Sequence, residues 1–148
     1  MKWSPLVLLA AGVLLAADAG TDDASKKDLE KLQGDWAAVE YTVDGQKLPD
    51  DDAQALFRTV KGNEYAVSHF DRVVGKGTFT IDATKDPKTV DFLPATAKDK
   101  SQALLGIYKV AGGRVTYCYA AAGKERPKEF ASKAESMHTL VVWEREKK

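Results

Sequence analysis

Between residues 36 and 144 the apolar positions fall in short runs separated by turn residues, and few of these runs keep a helical spacing. Trp36 to Val43 is rich in β-branched and aromatic residues and runs into Asp44-Gly45, a strong two-residue hairpin signal. Phe57 to Val60 is separated by Lys61-Gly62-Asn63 from Glu64 to Phe70. After Asp71-Arg72 the stretch Val73 to Ile81 alternates, which puts Val73, Phe79 and Ile81 on one face. Thr89 to Leu93 forms a short strand after Pro87. Leu104 to Val110 and Val115 to Tyr119 flank Gly112-Gly113, the clearest turn in the chain, and Thr139 to Glu144 closes the pattern.

Two short helices complete the reading. One begins at Ser25, a residue able to cap it; Leu29 and Leu32 share a face, and Gly34 can end it. The other covers Asp50 to Leu56, where Asp50, Asp51 and Asp52 meet the positive end of the helix dipole. About eight strands with no helix between most successive pairs predict an antiparallel meander, which hides its apolar face by closing or by folding into two layers. The expected fold is all-β, a closed antiparallel up-and-down barrel with one or two short helices, and a β-sandwich is the alternative.

The first residues carry a different pattern. Met1-Lys2-Trp3-Ser4-Pro5 precedes an apolar run from Leu6 to Ala17 and then Ala17-Asp18-Ala19. A positive start, an apolar stretch and a small-x-small site are the parts of a secretory signal peptide. As a helix the run spans about 18 Å, against about 30 Å of hydrocarbon, too short for a stable membrane anchor. No cysteine follows it to accept a lipid. The expected organisation is a signal peptide over 1–19, a leader and short helix over 20–31, and one barrel domain over 32–146, with the product exported to the periplasm or secreted.

Composition narrows the function. The 148 residues are 44% hydrophobic, enough for a packed core. Lys and Arg number 22 against 22 Asp and Glu, whereas a nucleic-acid partner calls for a basic excess. Loss of Lys2 and Asp18 together keeps that balance. The single cysteine rules out an intrachain disulfide framework and a Cys-based zinc site.

Side chains that carry chemistry elsewhere have plain readings here. Cys118 lies between Tyr117 and Tyr119 with no basic neighbour in sequence to activate it, and reads as a small buried hydrophobe. His69 and His138 lack the spacing of a zinc site and read as polar rim residues. Asp50-Asp51-Asp52 lacks the calcium-loop pattern of alternating ligands, glycine and distal glutamate. Ser132, Ser136 and His138 come without a nucleophile elbow. No catalytic residue, metal or cofactor is expected, and the chain reads as a non-enzyme.

Tyr108, Tyr117 and Tyr119 share a predicted hairpin. Tyrosines at a barrel mouth offer a small organic ligand an apolar wall and a hydroxyl, and aromatic cross-strand pairs also stabilise a sheet. Arg126, in the loop Gly123-Lys124-Glu125-Arg126-Pro127, can meet an anion or brace the loop.

Gly34-Asp35-Trp36 follows a short helix and opens the first strand, and it is similar to the Gly-x-Trp signature of lipocalin-type barrels. The resemblance implies that Arg145, at the end of the last strand, lies over Trp36. Trp36 and Trp143 are the expected core anchors, with Gly34 and Arg145 as structural partners. Leu32-Gln33-Gly34-Asp35-Trp36, Val43-Asp44-Gly45, Gly77-Thr78-Phe79, Pro87-Lys88-Thr89-Val90-Asp91, Gly106-Ile107-Tyr108, Cys118 and Arg126-Pro127 with Phe130 recur in one spaced order. As a set they resemble a small secreted domain of unknown function, expanded in planctomycete bacteria and lipocalin-like in fold. The resemblance implies fold and export and brings no reaction or substrate. Thr96 to Gln102 departs from it, being lysine-bearing and glycine-free. The functional expectation is an exported barrel that takes a small hydrophobic or amphipathic molecule. The alternative is a structural or protein-interaction domain with a filled interior.

Overall fold

The computed structural model describes residues 22–146. Among them are helices α1 (Asp23–Lys31) and α2 (Asp50–Gln54) and strands β1 (Gly34–Val43), β2 (Gln46–Lys47), β3 (Leu56–Lys61), β4 (Glu64–His69) and β5 (Arg72–Asp82). They are followed by β6 (Lys88–Pro94), β7 (Leu104–Ala111), β8 (Arg114–Ala120) and β9 (His138–Arg145). The expected signal peptide over 1–19 lies outside the described residues.

All strand pairings are antiparallel, in the order β1-β3-β4-β5-β6-β7-β8-β9, and β9 pairs back onto β1 from Trp36↔Arg145 to Val43↔Thr139. The result is a closed eight-stranded, lipocalin-like barrel, with β2 a short hairpin partner of β1. Closure leaves no long unpaired edge, the usual hazard of an open sheet. The turn signals behave as their chemistry requires. Asp44-Gly45 and Gly112-Gly113 all have positive φ, matching the twist of the strands they join.

Inward side chains alternate with outward ones and fill one end of the barrel. Trp36, Trp143, Tyr108 and Phe79 are each 1% exposed, and Val60, Ile81, Val90 and Val115 pack beside them. Helix α1 lies across that end. The Trp36 indole donates to Leu32 O at 3.0 Å, Tyr108 Oη donates to Asp28 at 2.8 Å, and Ala83 N donates to Ser25 Oγ at 2.8 Å. Gln33 exchanges two hydrogen bonds with the backbone of Gly62 in the β3–β4 turn. Helix α1 and the two residues after it thus reach Trp36 of β1, Ala83 just past β5, Tyr108 of β7 and the β3–β4 turn, and shut the barrel there.

Three local expectations are corrected. Asp22, not Ser25, caps α1: its carboxylate accepts from both Ser25 N and Ser25 Oγ at 2.7 Å, and Ser25 is buried in the first turn. Helix α2 stops at Gln54 because Leu56 already pairs with His69 as the first inward residue of β3. Phe79 and Ile81 face inward, but the β4–β5 register shifts between Val67 and Ser68, so Val74 is an extra residue on β5. That bulge breaks the alternation and leaves Val73 and Val74 exposed.

Candidate functional site

At the end opposite α1 the barrel holds a cavity of about 490 Å³, within the range of small-molecule sites. Its exposed lining residues, Val73, Val74, Lys76, Ala95 and Thr96, form the mouth, and its floor is made by buried Arg58, Phe92, Tyr117 and Trp143. Tyr41, Tyr65, Tyr119 and Leu104 form the walls between them. Among the described residues, no aspartate or glutamate lines the cavity.

Aromatic packing holds the floor in shape. The Phe92 ring meets Tyr65 at 5.5 Å, Tyr117 at 5.2 Å and Tyr119 at 5.5 Å, each close to edge-on. Such pairs contribute about 0.5–1.5 kcal/mol each beyond burial. The hydroxyls of Tyr41 and Tyr119 lie 3.2 Å apart and tie β1 to β8 across the interior. Gly106, opposite Tyr119 on β7, makes this possible: a Cβ there would stand 2.7 Å from the Tyr119 Cβ.

Arg58 is the unusual member. It occupies the inward phase of β3 between Leu56 and Val60 and is 5% exposed. Its guanidinium carbon lies 4.7 Å from the Tyr65 ring centre, 4.9 Å from Tyr117, 5.1 Å from Phe92 and 6.0 Å from Phe79. These rings stabilise the cation through their negative faces. Even so, among the described residues Nε and Nη2 have no hydrogen-bond partner, and the buried Trp143 Nε1 has none either. Burying donors without acceptors is costly, so each such atom calls for an explanation.

The phenols around this cation stay protonated at neutral pH. Burial raises the pKa of Tyr117 and of Tyr65, with Arg58 offsetting part of each shift. Burial raises Tyr119 further, and the Tyr41 hydroxyl adds to it.

The sequence-derived candidates divide between two places. Tyr117 and Tyr119 line the cavity. Tyr108 stands opposite Tyr117 in the β7–β8 register, yet its hydroxyl reaches Asp28 of α1, an acid that also accepts from Lys88 Nζ at 2.8 Å. Arg126 lies outside the barrel, where Nη1 meets Asp91 at 2.7 Å, Gly106 O at 2.8 Å and Val90 O at 3.2 Å. It pins the loop between β8 and β9 against β6 and β7. That loop also covers Cys118, which is fully buried and donates to Ala131 O at 3.4 Å; burial raises its thiol pKa. Arg58 did not stand out in the sequence. Its signal was a charged residue at the period-two spacing of Leu56 and Val60, obscured by Phe57 on the opposite phase.

Among the described residues, no group of three or more His, Cys, Asp or Glu side chains is placed to hold a metal, and no helix is long and apolar enough to cross a membrane. His69 ends β4, with its ring 4.4 Å from Phe70, and His138 begins β9. Compared with the profiles of known protein families and with curated proteins, the chain gives no match.

Proposed function

We propose that this protein is an exported binding barrel, akin to the small planctomycete secreted domain it resembles, which takes a small hydrophobic or amphipathic molecule through its open end. The observation that carries the reading is the cavity of about 490 Å³, walled by aromatic and aliphatic side chains and open on the side away from α1. An eight-stranded barrel is about the size at which the interior either fills with side chains or holds one small ligand. A filled interior, which the protein-interaction alternative needs, fits less well with space of that volume. Binding rather than catalysis is favoured because no nucleophile-base pair stands among the lining residues. The export half rests on the sequence of residues 1–19.

Native mass spectrometry of the protein purified from its own host tests both halves. The expected result is a mature chain beginning at Gly20 that carries a retained small molecule. An intact Met1 terminus would remove the export half. Protein that is consistently empty, and that takes up no apolar probe, would remove the binding half.

A further inference from the structure

We infer that the cavity selects a monoanionic amphiphile, bound with a carboxylate head on Arg58 at the floor and an apolar tail toward the mouth. The inference rests on the binding reading above and adds the class of ligand. Three observations support it. Arg58 is 5% exposed, and the two nitrogens without a partner, Nε and Nη2, are neighbours on one edge of the guanidinium. That edge presents two N–H groups side by side, the fork that matches the two oxygens of a carboxylate. The third orphan, Trp143 Nε1, belongs to another residue of the floor, so the fully buried unpartnered atoms there are all donors. They call for an acceptor.

Charge sets the valence. No acid lines the cavity among the described residues, so Arg58 has no carboxylate beside it among Tyr65, Phe92 and Tyr117. A single negative charge neutralises it, while a dianion would leave excess charge among aromatic rings. Lys76, the other cation of the lining, sits exposed at the mouth, where water already solvates it. The wall between floor and mouth sets aliphatic Val67, Leu104 and Val141 beside the rings of Tyr41, Tyr65 and Tyr119. A tail therefore lies along that wall while the head reaches the floor. A carboxylate without a tail would leave these walls uncovered, and a tail without the carboxylate would leave Arg58 unpaired.

The test is calorimetric titration of the whole mature protein with dodecanoate, dodecanol and dodecylammonium, three probes that share one tail. Dodecanoate is expected to bind about tenfold or more tighter than dodecanol, and dodecylammonium weakest, because a charge-assisted fork separates them. Arg58→Met should abolish the preference for dodecanoate over dodecanol. It should also raise the melting temperature of the ligand-free protein, whereas a purely structural arginine would lower it on removal. Arg58→Lys keeps the charge but loses the fork, and should weaken dodecanoate several-fold; it serves if the methionine variant does not fold. Equal binding of dodecanoate and dodecanol by the wild-type protein would overturn the carboxylate assignment and leave the cavity reading standing. Failure of all three probes would overturn both.

Discussion

The Arg145 guanidinium lies over the Trp36 indole, its carbon 4.3 Å from the ring, and the same two residues are paired across the β1–β9 seam. Arg145 also donates to Lys31 O at the end of α1 and to Gln33 O just beyond it, each at 2.7 Å. One side chain therefore joins the first strand, the last strand and the helix that shuts the barrel. Gly34 lies directly beneath: its φ is +107° and a Cβ would come within 2.9 Å of Arg145 Nη1. Arg145→Ala is expected to lower stability by about 1–2 kcal/mol, from a partly exposed cation–π contact and two charge-assisted hydrogen bonds. Arg145→Lys should recover less than half, since an ammonium cannot cover the ring and fork to both carbonyls. Urea unfolding measures both, and an unchanged midpoint for the alanine variant would refute the role.

Tyr108 and Tyr119 should separate stability from binding. Tyr108→Phe removes a donor to the buried Asp28 and is expected to cost about 1–2 kcal/mol while leaving dodecanoate affinity unchanged. Tyr119→Ala opens the cavity wall and should weaken dodecanoate. Titration and thermal melting of both variants check the pair, and equal effects on binding would contradict the assignment of Tyr108 to the closed end.

Two glycines of β5 predict opposite outcomes. A Cβ on Gly77 would stand 2.2 Å from Leu93 O, whereas Gly75, at the cavity mouth, has nothing within 4 Å. Gly77→Ala is expected to destabilise by about 1–3 kcal/mol, and Gly75→Ala to be neutral or slightly stabilising. Thermal denaturation of the two variants in parallel decides it. Similar melting temperatures would mean that β5 and β6 do not approach so closely at Gly77.

Alkali should unfold the protein. Tyr65, Tyr108, Tyr117 and Tyr119 all have pKa values raised above the ordinary 10.0, chiefly by burial and, for Tyr108, also by the hydrogen bond and charge of Asp28. Above about pH 10 the unfolded chain releases phenolic protons that the folded chain keeps. The contribution to stability is thus complete below that pH and is lost as pH rises further. Ultraviolet titration of phenolate alongside circular dichroism should show these tyrosines ionising only as the strands melt. Ordinary ionisation of all the tyrosines in an intact fold would contradict their burial.

The barrel was legible because its physical signals are local. Short apolar, β-branched and aromatic runs marked β1, β3–β9 and their approximate limits, and Asp-Gly and Gly-Gly pairs marked turns that need positive φ. The caps were harder. Asp22 and Ser25 are both good capping residues, and only the approach of Ala83 N, which engages Ser25 Oγ, separates their tasks. Val73 misled because a bulge changes strand phase without changing composition.

Period-two spacing reports which face of a strand a residue occupies and says nothing of its depth along the barrel. Tyr108 and Tyr117 share the inward face and are register partners, but one is hydrogen-bonded to α1 and the other floors the cavity. The order of apolar runs and turns in the chain was enough for an antiparallel meander that closes or folds into two layers, and the resemblance to lipocalin-type barrels is what placed Arg145 over Trp36. Which end α1 shuts, and that Arg58 lies at the floor of the other with Nε and Nη2 unpartnered, depend on residues far apart in sequence. Those contacts are set by long-range packing, and the local pattern of the chain does not encode them.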